Sequence, residues 1–84
     1  MGEVMANLMG FPGVQQMTSF KHGELDSLVV IANRPIHDHE ERVMIAKSMH
    51  VSTQDREVHA PHILTPMPEG LYRTAFYVGN FIKD

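Results

Sequence analysis

The chain has no cysteine and no tryptophan. Without thiols it holds neither a disulfide framework nor a thiolate zinc site. It also lacks any apolar run near the ~18 residues that a membrane-crossing helix requires. Its beginning, MGEVMANLMG, has no basic stretch and carries Glu3, so it does not read as a secretory leader. It opens Met-Gly, yet Ala6 stands where N-myristoylation asks for Ser or Thr. No membrane partner is expected, and a cytoplasmic location is the default expectation.

Basic excess is missing too. Seven Lys and Arg face ten Asp and Glu, a formal charge of −3, and the basic residues are scattered singly. A nucleic-acid binder needs a cationic footprint to displace counterions, so nucleic acid is not an expected partner. The chain contains no Gly-rich phosphate loop, no G-x-S-x-G elbow and no H-E-x-x-H helix. No enzyme class is indicated, and the expectation leans away from catalysis.

What the chain does have is organised around Ser27–His50. Leu28, Val29, Val30, Ile31 and Ala32 form a continuous apolar run rich in β-branched residues, the pattern of a central strand covered on both faces. Pro35 cannot donate to a ladder and holds Arg34 extended, so the strand ends there. Asp38 is a good N-cap, and Glu41 three residues on makes an acidic form of the capping box. Glu40 and Glu41 at the start of the helix and Lys47 near its end suit the helix dipole. Val43, Ile45, Ala46 and Met49 share one half of the wheel, into which His39, Arg42 and His50 intrude.

Around this centre the expectations are local. Gln15–Asn33 reads as a hairpin turning at His22-Gly23-Glu24. Arg56 to His59 suits a short strand, and Ala60–Pro68, with Pro61, Pro66 and Pro68, reads as extended or looped. Pro68-Glu69-Gly70 fits a type I turn. Leu71–Val78 is a strand with Tyr72, Thr74, Phe76 and Val78 on one face, and Gly79-Asn80 a bend after it. The whole is a single small α+β domain over residues 1–84: a mainly antiparallel sheet, one principal amphipathic helix on one face, and a short N-terminal helix or arm. Residues 1–12 form a candidate docking or swapped arm, because two turns carrying Val4, Met5, Leu8 and Met9 cannot hold themselves together in water.

Six histidines are the oddity of the composition. His37-Asp38-His39-Glu40 and His59-Ala60-Pro61-His62 supply imidazole and carboxylate, the donors of a zinc-type site where no thiol exists. Were both helical, His37 and His39 would point about 200° apart. They converge only if His37 lies outside the helix and the second pair crosses its N-terminus. The same histidines would otherwise make association sensitive to pH.

The leading expectation for function is a small non-enzymatic protein–protein interaction module, homo-oligomeric, of the kind found among phage or mobile-element accessory and inhibitor proteins. Its contact residues would be Met5, Leu8 and Met9 on the arm, Phe11 beside them, and Met44 on the exposed side of the helix. No cofactor is expected under that reading. The alternative is a structural or hydrolytic site for a divalent transition metal such as zinc, built from His37, His39, His59 and His62.

Overall fold

The computed structural model describes residues 10–81. Strands β1 (Val14–His22) and β2 (Leu25–Ala32) form a hairpin, helix α1 (His39–Ser48) follows, and β3 (Ile63–Pro66) and β4 (Tyr72–Val78) form a second hairpin. The strands make one antiparallel sheet in the order β1-β2-β4-β3. This is a small α+β fold, as the periodicity of Leu28–Ala32, the helix and Leu71–Val78 predicts.

β2 lies inside the sheet, paired on both sides: Leu28 opposes Ser19 on one side and Phe76 on the other. Its inward positions, Asp26, Leu28, Val30 and Ala32, are buried, while Leu25, Ser27, Val29 and Ile31 are half-buried. The apolar run is thus covered fully on the helix side only. There Leu28, Val30, Phe76 and Val78 meet Ile36, Ile45, Ala46 and Val51 in one core. Each large side chain withdrawn there is worth about 1.5–3 kcal/mol. Phe76, fully buried, is the costliest to truncate, at about 3–5 kcal/mol for replacement by alanine.

The two-residue turn of the first hairpin works because Gly23 takes φ +66°, a left-handed value at the first turn position. Helix α1 starts where the sequence indicates: Asp38 Oδ2 accepts from the Glu41 N–H at 3.2 Å. The reciprocal half of the capping box is absent, since the Glu41 carboxylate takes both guanidinium nitrogens of Arg34 at 2.8 and 2.6 Å. The intruders on the apolar half divide: Arg42 is 4% exposed, while His39 and His50 face outward.

Two local expectations need correction, and the extended reading of Ala60–Pro68 becomes specific. Within Ala60–Pro68 lies a true strand, β3, which tolerates Pro66 because that residue's nitrogen faces away from β4 at the sheet edge. Residues 56–59 contribute an isolated bridge, Val58 to Val78, rather than a strand. The turn at Pro68 is not type I, because Glu69 has φ +66°. A left-handed residue after Pro68 supplies the twist that joins antiparallel β3 to β4.

Candidate interaction surface

The sheet's second face is the most unusual surface of the molecule. Strand alternation places Gln16, Thr18, Phe20 and His22 on it from β1, Leu25, Ser27, Val29 and Ile31 from β2, Arg73, Ala75 and Tyr77 from β4, and Ile63 and Thr65 from β3. Among the described residues no second layer covers it: Phe20 is 54% exposed and Ile63 38%. A shallow depression of about 420 Å³ runs over its middle, floored by Val29 and Ala75 and walled by Phe20, His62, Ile63 and Arg73. Although the chain has ten carboxylates, none stands on these strand positions. The face sets Phe20, Val29, Ile31, Ile63, Ala75 and Tyr77 among the uncharged polar side chains Gln16, Thr18, Ser27 and Thr65, with Arg73 as its fixed charge.

At the hairpin end the face runs into an aromatic and imidazole cluster. His62 lies flat on Tyr77, with centroids 4.4 Å apart and planes 5° from parallel. His22 and Phe81 meet Tyr77 edge-on at 6.3 and 5.8 Å, and His59 packs on Phe81 at 4.7 Å. Offset and edge contacts of this kind add about 0.5–1.5 kcal/mol each to area burial. Gly79 lets the chain turn beneath the cluster, at φ +139°. A Cβ there would lie 2.7 Å from Leu25 Cδ2 and 3.0 Å from the Glu24 carbonyl oxygen.

Three of the four arginines, Arg34, Arg42 and Arg56, are committed to backbone carbonyls or carboxylates. Arg56 donates to the carbonyls of Ser52, Glu24 and Val78 and to Asp26 Oδ2 at 2.8 Å. Arg56, with Glu24, Asn80 and Phe81, lines a cleft of about 520 Å³, where its charge is already paired with Asp26. Arg42 donates to the carbonyls of His59 and His37 at 3.0 and 2.6 Å and lies 5.9 Å from the Phe76 ring centroid. Burial pushes its pKa below the usual guanidinium value, and nearby Asp38 pushes it back up. Arg34 bridges Glu41 and the Pro12 carbonyl; its hydrogen bonds to Glu41 hold that carboxyl below the ordinary carboxylate value and raise the guanidinium.

The histidine pairs do approach one another, but through their main chains. His37 lies outside the helix and the His59 segment crosses the helix start, the arrangement on which a metal site would depend. What converges there is a pair of carbonyls, and Arg42 occupies them. The His59 Nε2 donates to the Gly79 carbonyl at 2.8 Å, leaving Nδ1 3.9 Å from Glu57. His62 is stacked on Tyr77, and His39 stands exposed on the helix. Among the described residues no group of three His, Asp or Glu side chains is placed to hold an ion.

Of the contact residues expected from sequence, Met5, Leu8 and Met9 lie outside the described residues. Phe11 is only 3% exposed, packed into the core beside Val14, and so is not a contact residue. Met44 is 55% exposed, as expected, among His39, Glu40, Val43 and Lys47. The sequence reading missed Phe20, Ile63 and Tyr77. The available signal was Phe20, a large aromatic alternating with polar residues in a strand that contributes little to the core. No helix of the described residues is long and apolar enough to cross a membrane. Family models, curated proteins and solved structures yield no match to this chain.

Proposed function

We propose that this chain is a small non-enzymatic protein–protein interaction module whose contact surface is the second face of its sheet. The observation that carries the reading is the exposure of Phe20 and Ile63 around a depression floored by Val29 and Ala75, on a face without a carboxylate at its strand positions. Antiparallel sheets commonly leave one face to water, but that face is then polar. Large exposed apolar side chains such as Phe20 and Ile63, rimmed by polar groups, are characteristic of a surface that another protein covers. The module acts by occupying its partner, as an accessory or inhibitory factor does. The commitment of Arg34, Arg42 and Arg56 to carbonyls and carboxylates supports a binding role over chemistry on an anionic substrate.

Met44 is a lesser contact, since a lone methionine among Glu40, Lys47 and His39 makes no continuous apolar patch. The test is a Phe20→Ser, Ile63→Ser double variant, measured for association by sedimentation and for stability by urea unfolding. Association should fall while stability changes by less than about 1 kcal/mol, because both side chains are already half in water. Undiminished association in the double variant rules out the face. The Met5→Glu, Met9→Glu variant, run beside it, tests the N-terminal arm independently.

A further inference from the structure

The two edges of the sheet are protected very unequally. On the β3 side the edge strand is four residues long and ends in Pro66. Shortness and proline are the devices by which proteins keep an edge from recruiting another strand. On the other side β1 runs nine residues, Val14–His22, with no proline. Its one irregularity is a bulge between Val14 and Gln16, so Gln16–His22 pairs with β2 without interruption.

The direction of the free hydrogen-bonding groups follows from the ladder. The carbonyls of Tyr77 and Ala75 accept from the N–H groups of His59 and His62, so these β4 positions point away from β2. Alternation then turns Tyr72, Thr74, Phe76 and Val78 towards β2, and Leu25, Ser27, Val29 and Ile31 of β2 towards β1. Carried across once more, Thr18 and Phe20 bond inward to β2. Met17, Ser19 and Lys21 point their N–H and C=O outward, where they meet no partner among the described residues.

From this we infer that β1 pairs antiparallel with β1 of a second copy of this chain, about a two-fold axis at Ser19. The inference rests on the interaction-module reading and names the partner. Ser19 is the midpoint of the uninterrupted run Gln16–His22, so the axis there uses all of it. Met17 then stands opposite the other copy's Lys21, Ser19 opposite Ser19, and the outward groups of these pairs meet in about six main-chain hydrogen bonds. No like charges are opposed, and the residue on the axis is small and exposed. On the open face Phe20 comes opposite Thr18 of the other copy. The two phenylalanines become diagonal neighbours, within reach of one another at about 7–8 Å. The contact surfaces of the two copies merge across an eight-stranded sheet. Its outer edges are both β3, so the pairing closes at two copies rather than growing into a fibre.

Strand pairing alone buries less than the ~1,200 Å² of a standard interface, which makes this a weak dimer. Sedimentation of the full chain from about 1 to about 500 μM brackets such an affinity. Amide exchange by NMR at both ends of that range reads the register. The amides of Met17, Ser19 and Lys21 should gain protection as concentration rises, while those of Thr18 and Phe20 are protected throughout. Ser19→Pro removes an outward N–H and should leave a folded monomer by circular dichroism. If proline disturbs the fold, Ser19→Lys decides: it sets like charges on the axis at an exposed position and should raise the dissociation constant at least about tenfold. A dimer indifferent to Ser19→Lys but broken by Phe20→Ser overturns the strand pairing and leaves the open face in place as the contact. A chain that stays monomeric throughout, or whose three outward amides are equally protected at every concentration, overturns the second copy as partner.

Discussion

Arg42 and His59 are joined across the top of the core: the buried Arg42 Nε donates to the His59 carbonyl at 3.0 Å. Its Nη1 reaches the carbonyl of His37 at 2.6 Å. One guanidinium therefore ties the helix entry to the segment that runs beside β4, and two main-chain acceptors depend on it. Arg42→Met keeps the apolar stem but orphans both carbonyls. The expected loss is about 2–4 kcal/mol of unfolding free energy, measured in urea, with Arg42→Lys recovering only part because an ammonium has no planar fork. A loss below about 0.5 kcal/mol would mean water replaces the guanidinium.

The Arg34–Glu41 pair makes stability depend on acid. Hydrogen bonding to Arg34 lowers the folded-state pKa of Glu41 from 4.5. A depressed carboxylate contributes stability that is complete above its unfolded value and is lost as pH falls through the folded one. The loss therefore sets in below about pH 4.5 and is absent near neutrality. Arg34 is about one-third exposed, with a side-chain accessibility of 34%, so solvent screening keeps the contribution to about 0.5–1 kcal/mol. Glu41→Gln should flatten this part of the stability–pH curve. Curves of the two proteins that run parallel below pH 4.5 would count against the pair.

Gly79 is held by both conformation and space. Its φ of +139° is unfavourable for any L side chain, and an added methyl would meet Leu25 Cδ2 and the Glu24 carbonyl. Gly79→Ala should cost about 1–3 kcal/mol. The loss should come with altered Tyr77 and Phe81 side-chain signals, because those rings pack at 5.8 Å just beside the bend. Unchanged stability would mean that the hairpin end yields freely.

How far the sequence disclosed this arrangement differs from element to element. β2 and α1 were legible because each is announced twice, by apolar periodicity and by a stop or cap residue, Pro35 or Asp38. β3 was hidden by Pro61, Pro66 and Pro68, since a proline is compatible with a strand only at an edge and edge position is a tertiary fact. Arg42 could be seen to intrude on the apolar half of the wheel. Its acceptors, at His37 and His59, are carbonyls contributed by backbone geometry, and no residue type signals them. Phe11 was misplaced for a similar reason: beside an apolar arm it resembles contact surface, yet the turn at Gly13 folds it under Val14. The open face was unreadable from Leu28–Ala32, whose unbroken apolar run predicts cover on both sides where the structure has a helix on one.

The histidines carry the last prediction. A zinc-type ion needs several imidazole or carboxylate donors converging at about 2.0–2.2 Å, each with a lone pair free. His59 donates its Nε2–H to the Gly79 carbonyl, so Nδ1 is the only ring atom it could offer, and among the described residues no second imidazole converges on it. His62 is flat against Tyr77, and turning it towards His59 would give up that stacking. His37 is exposed, and it is its carbonyl that Arg42 engages. Equimolar zinc, and separately a chelator, should therefore leave the thermal midpoint of the full chain unchanged. Binding would have to break the His62–Tyr77 stack, so a real site would appear as a shift in both the midpoint and the tyrosine signals. A chelator-dependent fall in the midpoint would bring the four histidines back as ligands, and would require the segment around Pro61 to adopt another path.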